Sequence, residues 1–131
     1  MGKRVLVVDD DKVIQQLLEV NLELEGYEVA GFASDGKEAL ELVASLAPDV
    51  VILDIMMPKM DGLEVCRRMR ADPKLAKIPI ILLSARAQDM DIREGIEIGA
   101  SAYLTKPFDP VELIDIVARL VAGERILPAD S

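Results

Sequence analysis

The sequence predicts an α/β domain built as a doubly wound, five-stranded parallel sheet with helices on both faces. Five short runs dominated by Val, Ile and Leu alternate with five segments whose apolar residues recur at helical spacing. Alternation at this length implies right-handed βαβ crossovers and therefore parallel strands. The strand runs are nearly unbroken apolar stretches, as strands covered on both faces must be.

The first strand is Arg4 to Val8. Val13, Ile14, Leu17, Leu18, Leu22 and Leu24 follow at helical spacing, and Gly26 closes that helix. "YEVAGFA", Tyr27 to Ala33, is a second and weaker strand. "SDGKEALELVASLAP" caps and carries a second helix, which Pro48 ends. The third strand is continuous from Val50 to Leu53 and ends at Asp54, and a third helix follows from about Gly62 to Ala71. Strand four is placed at Ile78 to Leu83. "MDIREGIEIGA" is a fourth helix stopped by Gly99, and "SAYLTKP" holds a short fifth strand. The last helix has Pro110 near its start and Gly123 just past its end. "ERILPADS" shows no periodicity and reads as a tail or the start of a linker.

A length of 131 residues suits one domain with one core. Aromatics are only 3%, so Val, Leu, Ile, Ala and Met must build that core. The net charge of −9 argues against direct nucleic-acid binding, which needs a basic surface, and leaves room for a bound cation. No apolar run approaches the roughly 20 residues that span a bilayer, so no membrane partner is expected. The apolar run after Lys3-Arg4 meets aspartates after four residues, too short for the core of a signal peptide. Cys66 is the one cysteine, so no internal disulfide forms, which fits a reducing cytoplasm. There is no histidine for base, ligand or phosphocarrier work.

In a doubly wound sheet, sites form beyond the carboxyl ends of the strands. Asp9 and Asp10 follow strand one, Asp54 follows strand three, Ser84 follows strand four and Lys106 follows strand five. These side chains should face one crevice. Two like charges at about 4 Å cost about 4 kcal/mol at an effective dielectric of 20. A hard divalent cation relieves that repulsion, and Mg²⁺ suits carboxylates that also leave room for water and phosphate oxygens. With no histidine and no nearby cysteine, Zn²⁺ is disfavoured. A carboxylate, a hard cation, a lysine and a small hydroxyl are the parts needed to accept a phosphoryl group, with the carboxylate as nucleophile.

With these pieces in place, the sequence resembles the receiver domain of bacterial two-component response regulators. The matching stretches are "VLVVDDD", "VVILDIMMPKMDG", "IILLSA" and "YLTKPF", from Arg4 to Phe108, and the element pattern extends the match to about Ala122. The resemblance implies a flavodoxin-like (βα)5 fold of strand order 2-1-3-4-5, a receiver over residues 1–122, and a tail or linker over 123–131. It implies that Asp54 is the phosphoacceptor, that Asp10 binds Mg²⁺ directly with Asp9 as its partner, and that the Met56 backbone carbonyl is a third protein ligand. Ser84 corresponds to the hydroxyl that meets the phosphoryl group and moves, Lys106 to its pairing cation, and Tyr103 to the aromatic switch. The Lys106–Pro107 bond corresponds to one that is usually cis. The implied phosphodonor is a phosphohistidine on a histidine kinase or histidine phosphotransfer protein, and small phosphodonors are a second route. The implied reader of the helix-four, strand-five, helix-five surface is a downstream effector or a fused output domain, and the location is the cytoplasm. Ser101 and Ala102 stand where relatives with winged-helix output carry paired acids, which puts that dimer mode in doubt. Met56 and Arg86 stand where side chains tune the lifetime of the aspartyl phosphate.

Plainer readings sit beside these. The Asp9–Asp11 run is first of all a helix-capping signal, and Asp11 is the expected cap. Asp61 is a second cap rather than a ligand. Serine after a strand is common, Tyr103 can equally be edge packing, and Met56-Met57 reads first as packing. Cys66 on an apolar helix face reads as inert. Two other chemistries share parts of the pattern. A phosphohydrolase of the haloacid dehalogenase type needs a second acid two residues beyond its nucleophile, and position 56 is Met. An FMN binder needs a Ser/Thr/Gly-rich phosphate loop after strand one, and this chain has acids there.

Overall fold

The computed structural model describes residues 2–85 and 89–126, with the side chains of 89–92 outside that description. Five strands and five helices alternate: β1 Arg4–Val8, α1 Lys12–Leu24, β2 Glu28–Ala33, α2 Gly36–Leu46, β3 Val50–Asp54, α3 Gly62–Ala71, β4 Ile80–Ser84, α4 Asp89–Ile98, β5 Ala102–Thr105 and α5 Pro110–Val121. All strand pairs are parallel, in the order β2-β1-β3-β4-β5. This is the flavodoxin-like order that the sequence implies.

Alternation along the strands builds two cores, one on each face of the sheet, where chain length alone suggested one. Leu6, Val8, Val51, Leu53, Ile80 and Leu82 face α2, α3 and the end of α4. Val5, Val7, Val50, Ile52, Ile81 and Leu83 face α1 and α5. Every residue of β3 and β4 is buried. Edge strand β2 is only half-buried, which is why its sequence signal is weak.

Local chemistry sets the boundaries. Asp11, Asp35, Asp61 and Asp109 each cap a helix by accepting a backbone N–H bond. Asp11 and Asp61 thus act as the sequence suggests. Helix α1 ends in a Schellman motif. Gly26 (φ 88°) donates to Glu23 O, and Tyr27 donates to Leu22 O. Tyr27 is therefore spent on closing α1, and β2 begins one residue later than its sequence pattern suggests. Strand β4 also starts later, at Ile80 rather than Ile78. Ile78 N–H turns back to Leu75 O, and Pro79 has no N–H to give a ladder.

Gly62 brings α3 against the end of β3. A Cβ there would lie 2.4 Å from Asp54 O and 2.9 Å from Ile55 Cα, both backbone atoms that cannot swing aside. Gly62 N–H also donates to Ile55 O at 2.9 Å. Gly62→Ala should therefore cost about 2–3 kcal/mol in urea melts, the cost of overpacking a site without room. An unchanged midpoint would show that β3 and α3 can separate.

Candidate functional site

The carboxyl ends of β1, β3 and β4 carry three buried polar side chains along one edge of the sheet. Asp9 is 1%, Asp54 4% and Ser84 1% exposed. Strand register explains the convergence: Val8 pairs with Leu53, so the residues that follow lie side by side, and Asp54 pairs with Leu83, one before Ser84.

Lys106 reaches this point from the end of β5. Its Nζ donates to Asp9 Oδ2 at 2.7 Å and lies 3.5 Å from Asp54 Oδ2. Its backbone N–H donates to Ser84 O at 2.7 Å, and the Lys106–Pro107 peptide is cis. The other oxygens are engaged as well. Asp9 Oδ1 accepts from Asp11 N at 2.9 Å, and Asp54 Oδ1 accepts from Met56 N at 3.3 Å.

The electrostatics follow from burial and crowding. The Asp54 carboxyl is pushed up to about 6, first by loss of water and then by the Asp9 charge, with Lys106 opposing. Burial works against the Lys106 charge, but the hydrogen bond to Asp9 and the nearby Asp54 outweigh it and raise its proton affinity. One ammonium between two buried acids leaves an excess of negative charge. Asp10, exposed, adds to it: one carboxylate oxygen from each of Asp9, Asp10 and Asp54 lies within 4.8 Å of the others. An all-oxygen set of this size and charge fits a hard divalent cation.

The remaining expected residues are placed as follows. The Met56 side chain is 64% exposed, so it is not packing, and its backbone lies against Asp54 through the N–H bond already described. Tyr103 is half-buried on β5 and packs against the α2–α3 core. Ser101 Oγ accepts from Ile80 N at 3.0 Å and so helps to pair β4 with the turn before β5. Cys66 is fully buried, and burial raises its thiol, as an inert residue requires. Arg86 lies outside the described residues. Gln15 draws no attention in the sequence, yet it is buried and donates to Asp9 O at 2.6 Å. The signal was there: Gln15, Leu18 and Leu22 form the buried face of α1, and one of the three is polar.

Because the folded Asp54 carboxyl titrates above its unfolded value of about 3.9, it favours the folded state at low pH, and this contribution is lost as pH rises through about 6. In metal-free buffer, Asp54→Asn should raise stability at pH 7.5 by about 2 kcal/mol and leave it nearly unchanged at pH 4. Urea melts at the two pH values test this; equal shifts at both would refute the burial effect.

The family model for the response regulator receiver domain matches residues 5–118. The chain is 44% identical over 125 residues to the DNA-binding dual master transcriptional regulator RpaA of Synechocystis sp., covering 95% of this chain and 52% of that protein. It is 46% identical over 113 residues to the alkaline phosphatase synthesis transcriptional regulatory protein PhoP of Bacillus subtilis, covering 86% of this chain and 46% of that protein. The chain thus spans about half the length of these relatives. Among solved structures, the Francisella response regulator 1452 receiver domain superposes with a TM-score of 0.86 at 38% identity, covering 93% of this chain and 98% of that one. The Vibrio cholerae chemotaxis protein CheY4 superposes with a TM-score of 0.84 at 35% identity, covering 91% and 98%.

Proposed function

The chain belongs to the response regulator receiver domain family, and from that membership we propose that it is a phosphoryl-accepting switch whose acceptor is Asp54. The observation that carries the reading is the placement of Asp54: buried, at the end of the central strand β3, within 4.8 Å of two further acids and 3.5 Å from Lys106 Nζ.

A carboxylate oxygen of Asp54 forms the new P–O bond as the P–N bond to a donor phosphohistidine breaks, and the imidazole leaves with a solvent proton. These 131 residues hold no histidine, and the donor is a histidine kinase or a histidine phosphotransfer protein, with small phosphodonors as a second route. Asp9, Asp10, Asp54 and the Met56 carbonyl would hold Mg²⁺, which neutralises charge on the phosphoryl oxygens when bound. Lys106 is already drawn to this spot by the two acids, and its ammonium pairs with the incoming phosphoryl oxygens without leaving the site. The buried Ser84 hydroxyl lies one position beyond Asp54's register partner and turns toward the new anion.

The phosphorylated site then biases the surface of α4, β5 and α5, with Tyr103 on β5 following Ser84. A downstream effector or fused output domain reads that surface. Residues 1–122 act as the receiver, and 123–131 as a tail or the start of a linker. The RpaA and PhoP relatives are named as transcriptional regulators and are about twice as long, which supports an output region joined to such a receiver. No helix among the described residues is long and apolar enough to cross a membrane. The charge of −9 disfavours nucleic-acid contact by this domain, and a cytoplasmic location suits a relay from kinase to effector.

Incubation with acetyl phosphate and Mg²⁺ should add one phosphoryl group, read by intact-protein mass. EDTA should abolish the adduct, and so should Asp54→Asn. Lys106→Met should slow labelling about 100-fold, the usual cost of one charge-stabilising donor. An adduct that survives in Asp54→Asn would refute the assignment.

A further inference from the structure

Four polar or charged side chains are buried among the described residues: Asp9, Asp54, Ser84 and Gln15. Three are at the acidic site. The fourth holds the backbone of the first. We propose that Gln15 is a positioning residue for the cation site, acting by fixing the peptide that joins Asp9 to Asp10. The inference rests on the cation-site reading above.

The geometry supports a specific mode of action. Gln15 Nε2 donates to Asp9 O at 2.6 Å. That carbonyl accepts and cannot donate, so the amide nitrogen is the atom that faces it. The carbonyl lies in the rigid plane that also contains the N and Cα of Asp10. Holding the oxygen therefore fixes the Asp10 N and Cα, and with them the N–Cα axis about which the Asp10 side chain is placed.

Asp10 needs such help. Asp9 is pinned independently: its N–H donates to Ala33 O at 3.0 Å, Oδ1 accepts from Asp11 N, and Oδ2 accepts from Lys106. Asp10 is exposed, and its approach to Asp9 and Asp54 brings like charges together. Without a cation that repulsion works against the place the Asp10 carboxylate holds beside the other two. A peptide rotation at Asp9–Asp10 would relieve it, and the Gln15 bond opposes that rotation. Gln15 is itself anchored, because it sits on the buried face of α1 with Leu18 and Leu22. Its nitrogen also lies 3.5 Å from Ser34 Oγ, in the turn that leads into α2. Burying an amide on this face costs free energy unless it is bonded, so a Leu would serve packing better. The polar residue is explained by what it holds.

Gln15→Met keeps length and helix preference while removing the donor, and Gln15→Asn keeps the amide but is one methylene too short to reach. Three quantities are read for each: Mg²⁺ affinity by calorimetry, the metal-free melting temperature, and the acetyl phosphate labelling rate as a function of Mg²⁺. Both variants should lose about tenfold in Mg²⁺ affinity, as is usual when a residue behind a ligand is removed. The labelling rate at saturating Mg²⁺ should stay within about twofold of wild type, because Asp54 and Lys106 are untouched. Ser34→Ala, which leaves the Asp9 bond intact, should bind Mg²⁺ as wild type does.

Wild-type Mg²⁺ affinity in both Gln15 variants overturns the proposal, whatever their melting temperatures. A fall in the saturated labelling rate as large as the fall in affinity also overturns it, since that is general loosening of the fold. If wild type itself binds no Mg²⁺, the cation-site reading fails and this inference falls with it. Wild-type binding with unaltered variants removes this inference alone.

Discussion

Asp9 and Asp54, both buried, share the Lys106 ammonium, and the third acid, Asp10, stands beside them with no ion pair of its own among the described residues. Like charges at such distances cost several kcal/mol in a medium of intermediate dielectric. The protein accepts this cost at the ends of two strands, where Asp9 and Asp54 are buried. The raised Asp54 carboxyl is the local record of it: burial first, and the neighbouring acid second. A site with surplus negative charge and all-oxygen donors is unfavourable when empty of cations and favourable when one is present. On the proposed reading, a divalent cation and a phosphoryl group each act on the charge balance that Lys106 alone leaves incomplete.

The fold supplies rigidity for this arrangement. Strands β3 and β4 are buried along their whole length, so a residue at the end of either cannot shift without disturbing both cores. Gly62 lets α3 pack directly on the backbone of Asp54. Lys106 is tied to the end of β4 through its own N–H, so its long side chain starts from a fixed point. Hydrogen bonds from Asp11 and Met56 backbones fix the oxygens that Lys106 does not. These anchors come from different parts of the chain, so the site depends on how the strand ends are brought together rather than on any one loop.

Much of this was legible in the sequence. Unbroken Val/Ile/Leu runs marked β1, β3 and β4, because strands buried on both faces tolerate little else. The residues that break those runs, Asp9, Asp54 and Ser84, marked the site for the same reason. Boundaries were less legible. Tyr27 and Ile78 look like strand residues by side chain, but their N–H groups close turns to Leu22 and Leu75, a matter of backbone partners that composition does not encode. Gln15 was missed because one polar residue on a helical stripe resembles ordinary variation. Its meaning depends on the Asp9 carbonyl, a backbone atom common to every residue. The exposure of Met56 was also illegible, since a methionine pair reads as core until the turn geometry is known.

On the proposed reading the clustered acids are short of positive charge until a divalent cation joins them. Urea unfolding at pH 7.5 across increasing Mg²⁺ tests it most directly, because a ligand that binds only the folded state stabilises it in proportion to the logarithm of its concentration above Kd. The midpoint should climb with Mg²⁺ in the wild type and stay flat in Asp10→Asn. A wild-type midpoint indifferent to Mg²⁺, or an equal climb in Asp10→Asn, would contradict that reading.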